Sequence, residues 1–252
     1  MAQFTLRDAI DRMQFSRSEL ARRADVSRTT ALSVSEDQSR ARVDTLRELA
    51  LALGYDVSIE LARASDPLAA LAARVILGEL DSHSDLGASS EELAEWVDRL
   101  GRYSGSGGDG GAPLRVIREA ARVSGAQNRP GRALFAGRND ADRLVSAGRA
   151  SEARWALSGS ASLEAMGAGP GKTVVLWTDD IKNVSDLLVD THRRVRLHTA
   201  ADVIVAPAHP SVFASSTTFD DVNLVSPLQG VIDSVAIGGV DEEIALSIAS
   251  GW

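Results

Sequence analysis

Residues 16–34 read SRSELARRADVSRTTALSV, and this stretch decides how the first part of the chain folds. Ser16 followed by Glu19 is a capping-box pattern, in which each side chain serves an orphan backbone N–H at a helix start. Leu20, Ala21 and Ala24 then fall on one helical face, which predicts a buried stripe. Asp25 and Val26 interrupt that helix. Asp25 stands where the turn needs a positive φ, a conformation that aspartate tolerates. Ser27 is a good N-cap for a second short helix carrying Arg28, Thr29, Thr30 and Ser33. The small Ala21 lets the second helix pack closely over the first. Further on, Leu46, Leu49, Ala50 and Leu53 recur at i, i+3, i+4 and i+7, with Gly54 as the C′ stop, so another helix is expected.

ELARRADVSRTTALSV resembles the helix-turn-helix of Cro/cI-type (XRE-family) repressors, and TLRELALALGY is similar to the fourth helix of that fold. The resemblance covers about residues 4–62 and departs from the family pattern at Asp25, where glycine is usual, and at Ala31, where a larger aliphatic is common. It implies a DNA-binding second helix with Arg28, Thr29, Thr30 and Ser33. Of these, Arg28, Thr29 and Ser33 would read base edges in the major groove, and Arg28 could pair bidentately with guanine. Ser27 or Arg17 would hold phosphates.

Tyr55 to Leu61 alternates apolar and polar at period 2, the pattern of one half-buried strand. A lone strand is not stable by itself. It could pair with its counterpart in a second chain, making a homodimer, or cap its own domain. The acidic residues 64–103 hold two amphipathic helices, one opened by Asp66-Pro67 and one by a Ser89/Glu92 capping box. These could dimerise the chain or pack between domains. SGSGGDGGA, residues 104–112, is glycine- and serine-rich with little to bury, so a flexible linker is expected there.

From 113 to 252 short apolar runs alternate with helical ones, which predicts an α/β domain with a mixed sheet. Its strands are expected at 133–136, 154–157, 173–178, 195–197, 203–205 and 222–225. Ser226-Pro227-Leu228-Gln229 reads as an N-cap, N1 proline and capping glutamine for a helix that Gly238-Gly239 stops. GAGPGKT, residues 167–173, invites a phosphate-loop reading. It leaves only three residues between Gly167 and Gly171-Lys172, and it follows a helix and opens a strand, the reverse of what a phosphate loop needs. It reads as a helix-to-strand turn.

WALSGSASLEAM followed by TVVLWTDDI resembles the Gly-Ser and paired-acid arrangement of nucleotidyltransferases, in which the Gly-Ser backbone holds a triphosphate and two carboxylates hold Mg²⁺. Gly159 and Ser160 match. Asp179 and Asp180 are adjacent, so they turn to opposite sides of a strand, and Lys182 replaces the expected second acid. The expectation is a degenerate, non-catalytic nucleotidyltransferase-like domain, with an active nucleotidyltransferase as the alternative. RALFAG, RWALSGSASLEAMG, TVVLWTDD and VNLVSPLQGVIDSV together resemble the AbiEi-type antitoxin and regulator family over about residues 130–252. That implies an antitoxin alternative with a toxin as protein partner.

The chain has 252 residues, no cysteine and a formal net charge of −8. Disulfides, zinc–thiolate sites and thiol nucleophiles are therefore excluded. His192, His198 and His209 lack metal-ligand spacing, and no cofactor, metal or catalytic residue is expected. No apolar run is long enough for a membrane span and the start has no secretory apolar region, so a cytoplasmic protein is expected. The acidic total is unevenly spread: residues 1–63 are neutral, while 113–155 carry nine arginines against four acids. Arg129 and Arg132 in that segment are expected to make a second contact with the DNA backbone. The chain as a whole reads as a regulator, a repressor with double-stranded operator DNA as its partner.

Overall fold

A computed structural model describes residues 5–38, 41–81, 89–104 and 111–252. The chain forms two compact units, 1–62 and 63–252.

The first unit is helical: α1 (Leu6–Asp11), α2 (Arg17–Arg23), α3 (Arg28–Glu36) and α4 (Val43–Ala52). Ile10, Leu20, Ala21, Ala24, Ala31, Val34 and Leu49 form its core, so the expected stripe is buried. Asp25 has φ 50°, and Val26 N–H donates back to the Ala21 carbonyl at 3.0 Å, which closes the turn between α2 and α3. Gly54 follows α4 at φ 84°. Ser16 caps α2 by accepting from Glu19 N–H at 3.2 Å, but the reciprocal half of the box is missing. The Glu19 carboxylate is instead gripped by Arg22 and Arg23 at 2.6 and 2.9 Å, and those hydrogen bonds lower its pKa to about 2. Charge-assisted bonds to guanidinium outcompete a neutral backbone amide for the same oxygens.

Tyr55–Leu61 does not form the expected strand. Most of the segment is exposed, with Leu61 97% accessible, while Tyr55–Ser58 lie along a groove with Thr5, Leu6, Ala9, Leu46 and Ala50 of their own unit. A strand needs a neighbouring ladder, and among the described residues none is offered.

The second unit begins well before the glycine-rich stretch. Its α5 (Pro67–Ile76), α6 (Ser90–Gly101) and α7 (Ala112–Ser124) share one apolar core with α11 (Pro227–Ile237) and α12 (Val240–Ala249). The acidic segment is thus part of this unit, not a separate module between domains. Asp66 caps α5 and also accepts from Trp96 Nε1–H on α6 at 2.9 Å. The Ser89/Glu92 capping box is formed in full. The expected linker joins two helices of the same unit; its residues 105–110 lie outside the described residues, and Ala112 is already buried in α7.

The sheet is mixed, in the order β4-β1-β5-β3-β2-β7-β6. Its strands are β1 (Ala133–Ala136), β2 (Trp155–Gly159), β3 (Val174–Thr178), β4 (Arg193–Arg194), β5 (Val203–Pro207), β6 (Thr217–Phe219) and β7 (Val222–Leu224). β2/β7 and β3/β5 are parallel and the other neighbours antiparallel. Alternation along the central strands sends Leu157, Val174, Leu176, Val203 and Val205 to one face and Ala156, Val175, Trp177, Ile204 and Ala206 to the other. On the first face they meet Leu144 and Ala147 of α8 (Ala141–Ala150) and Val184 and Leu188 of α10 (Ile181–Leu188). Gly148 on α8 allows Trp155 to lie close, since a Cβ there would collide with the indole. α11 packs on β2 and is buried from Leu228 to Val235, so its polar residues need partners inside the protein.

One strand expectation is corrected and one strand was not foreseen. The strand foreseen at 195–197 sits at Arg193–Arg194, and β6 arises from TTF, a run too short and polar to signal itself. No helix among the described residues is long and apolar enough to cross a membrane.

Candidate nucleic-acid interface

The first unit brings Ser27, Arg28, Thr29, Thr30 and Ser33 to α3 and the turn before it, while Arg17 opens α2. Arg28, Thr29 and Ser33 on α3 are exposed, whereas Ala31 and Val34 on its opposite face are buried. Ser27 and Thr30 serve the helix itself. Ser27 Oγ accepts from Thr30 N–H at 2.9 Å and lies 2.7 Å from Thr30 Oγ1, and Thr30 is half-buried. Their hydroxyls are therefore held in the N-terminal turn of α3, beside the first exposed position, Arg28.

Pairing sorts the arginines of this unit. Arg22 and Arg23 bind Glu19, and Arg47 lies 3.6 Å from Asp56. Among the described residues Arg7, Arg17, Arg28 and Arg42 are exposed and have no ion-pair partner, and the last three stand at helix starts. Arg17, Arg28 and Arg42 occupy the first residue of α2, the first residue of α3 and the N-cap of α4. A helix N-terminus carries partial positive charge and free amide donors, and a neighbouring unpaired guanidinium adds to both. A groove of about 380 Å³ runs between α3 and α4, lined by Thr29, Thr30 and Ser33 on one side and Arg42 and Thr45 on the other. Arg42 escaped the sequence reading because it stands in a cap position normally marked by Ser, Thr, Asp or Asn.

Arg129, expected at a DNA backbone, is instead buried. It is 8% exposed, and its Nη1 donates to the Ser65 carbonyl at 2.9 Å. Its guanidinium stacks 5.3 Å from the Trp177 ring. Burial lowers its pKa, offset in part by Asp233 and Asp66. Arg132, three residues on, is exposed. The segment 113–155 is not one basic face: Arg149 pairs with Asp221, Arg154 with Asp179, and Arg143 donates to the Leu187 carbonyl at 2.8 Å.

Most of the residues suggestive of nucleotide chemistry are engaged in internal contacts. The amides of Lys172 and Thr173 donate to the Asp241 carboxylate at 2.9 and 3.3 Å, so an internal carboxylate occupies the loop's N–H groups. Burial raises the Asp241 pKa, and these amide bonds oppose the rise. Gly159 has φ 67°, and a Cβ there would strike the Thr173 carbonyl, which explains the glycine sterically. Ser160 is fully buried in α9 (Ser160–Ala165). Asp179 is held by Arg154 at 2.7 Å, while Asp180 caps α10 by accepting from Asn183 N–H at 3.0 Å. Among the described residues no group of three or more His, Asp or Glu is arranged to hold a metal ion. His192 is buried and hydrogen-bonded to Thr191 and to the Arg138 carbonyl, and His209 bonds Ser211.

Gln229 is also not a capping residue. Its amide turns inward, donating to Asp233 at 2.9 Å and accepting from Arg74 at 3.4 Å. Asp233 accepts in addition from Ser158 Oγ–H at 2.6 Å and Trp177 Nε1–H at 2.8 Å. Arg74 and Asp233 thus anchor a buried polar network that links α5, α11, β2 and β3. Comparison of the chain with protein-family models, curated proteins and solved structures finds no match.

Proposed function

We propose that the chain is a sequence-selective DNA-binding transcriptional regulator, acting as a repressor, with a Cro/cI-type helix-turn-helix formed by α2 and α3. The observation that carries the reading is the set of exposed, unpaired arginines at the starts of α2, α3 and α4. α3 enters the major groove, Arg28 makes a two-pronged contact with a guanine, and Thr29 and Ser33 meet neighbouring base edges. Arg17 and Arg42 fix the backbone on either side. The neutral charge of the first 63 residues keeps non-specific affinity modest. The second unit, a degenerate relative of nucleotidyltransferases similar to AbiEi-type regulators, serves sensing or assembly. Asp179 and Asp180 being held in an ion pair and a helix cap supports a non-catalytic reading.

Arg28→Ala is expected to weaken operator binding by about 1–3 kcal/mol and to relax selectivity at one base pair. A gel-shift series on the DNA upstream of the protein's own gene, with random duplex as competitor, measures it. Operator selectivity unchanged in the variant would defeat the assignment.

The active regulator is a homodimer, joined through residues 55–61. Two copies crossing antiparallel at Ile59 would set Val57 opposite Leu61 and Ser58 opposite Glu60, so no like charges face each other. Ile59 and Leu61, both exposed in one chain, would then be covered. Sedimentation at micromolar concentration should return twice the chain mass, and Ile59→Asp should return one. A wild-type mass of one chain refutes the pairing.

A further inference from the structure

The second unit carries a basic groove that the linear run of arginines did not reveal. β4 is the last strand of the sheet and pairs only with β1, with Arg194 opposite Phe135 and Arg193 opposite Ala136. Chain order separates Arg132 from Arg194 and Arg196 by some sixty residues, yet all three line one groove of about 300 Å³ at this edge. All three are exposed, and among the described residues none has an ion-pair partner. Asp186, whose pKa the charge of Arg194 helps to lower, is bonded to Lys182 at 2.8 Å. Arg194 lies over the Phe135 ring at 5.5 Å, which holds its guanidinium in place.

Three guanidinium groups that line one groove with no ion-pair partner repel one another, and an anion that joins them relieves the repulsion. Guanidinium forks match phosphate oxygens in pairs, which a lone ammonium cannot do. Leu197 beside the groove is exposed, but a single aliphatic side chain is far short of the apolar centre of a protein interface. Charged residues also guard sheet edges against pairing with another chain, and that alternative makes a different prediction. We infer that Arg132, Arg194 and Arg196 form a phosphate-backbone contact for duplex DNA, separate from the base-reading helix. The inference rests on the DNA-binding reading given above.

The test uses the full chain and measures binding to a long random-sequence duplex across a salt series. The triple variant R132Q/R194Q/R196Q should bind at least tenfold more weakly at low salt, and its log–log salt slope should shrink by about 2–3, at about 0.9 for each phosphate no longer neutralised. R132K/R194K/R196K should keep most of the slope, because the charges remain. Arg196→Gln, at a residue with no internal side-chain bond among the described residues, should remove about 0.9 of slope and guards against misfolding of the triple variant. A glutamine triple variant with wild-type affinity and slope overturns the contact and leaves edge protection as the role of these arginines. If Arg28→Ala still loses operator selectivity in that case, the DNA-binding reading survives alone. Wild-type protein that binds no duplex at low salt overturns both. Preferential binding to phosphatidylglycerol vesicles over duplex also overturns the proposed ligand.

Discussion

Asp233→Ala should lower the stability of the second unit by about 3–5 kcal/mol, the effect of removing one member of a buried charged network. Its carboxylate is the common acceptor for Ser158, Trp177 and Gln229, and alanine would strand three buried donors at once. The buried Arg129 would also lose one of the two acids that favour its charge, keeping Asp66. Burial raises the Asp233 pKa, and the hydrogen bonds from Ser158, Trp177 and Gln229 oppose that rise. A carboxyl whose folded pKa lies above its unfolded value binds protons more readily when folded. Its contribution to stability is therefore greatest below the unfolded carboxylate pKa and declines as pH rises to the folded one. Asp233→Asn, which keeps the shape and one acceptor, should cost less than alanine and flatten this decline. Thermal unfolding across pH measures both; an alanine variant within about 1 kcal/mol of wild type would show the network to be dispensable.

Arg74→Ala should be of similar size, about 3–5 kcal/mol. Arg74 is completely buried on α5 and donates to the Ser211 and Ala214 carbonyls, each at 2.7 Å, and to Glu79 at 2.8 Å. Alanine would leave two carbonyls and a carboxylate without their donor. It would also free α5 from the segment that follows β5. Arg74→Lys keeps one charge but not the planar fork, so it should recover only part of the loss. Denaturant unfolding gives the sizes. A lysine variant as stable as wild type would mean that charge alone, and not the multi-pronged geometry, holds the helix. Below the melting transition of either variant the Arg28-dependent selectivity should persist, because the residues of α2 and α3 take no part in this network.

Local chemistry was legible wherever it needed only neighbours in the chain. Ser27 as a cap, Asp25 at positive φ, Gly54 after α4 and the short apolar run of β3 could all be read within a few residues. The face of Arg28, Thr29 and Ser33 was visible for the same reason, since α-helical period places Ala31 and Val34 on the other side. What misled was composition read as organisation. The glycine-rich stretch looked like a domain boundary, yet helices on both sides of it share one apolar core, and the boundary falls at 62/63. Glycine and serine report local freedom and say nothing about which surfaces meet.

Arginine shows the division most sharply. The sequence by itself determined that charge is uneven, that a short helix pair carries arginine at its starts, and that an α/β unit follows. Only the tertiary structure decided which arginines face water. Arg129 and Arg132 stand three residues apart in one basic run, but one lies against Trp177 and the other opens onto the β4 edge. Arg74, in an otherwise apolar helix, is buried completely because Ser211, Ala214 and Glu79 supply acceptors from other parts of the fold. The free energy of a buried charge depends on distant partners and on desolvation, and neither is encoded in the spacing of neighbouring residues.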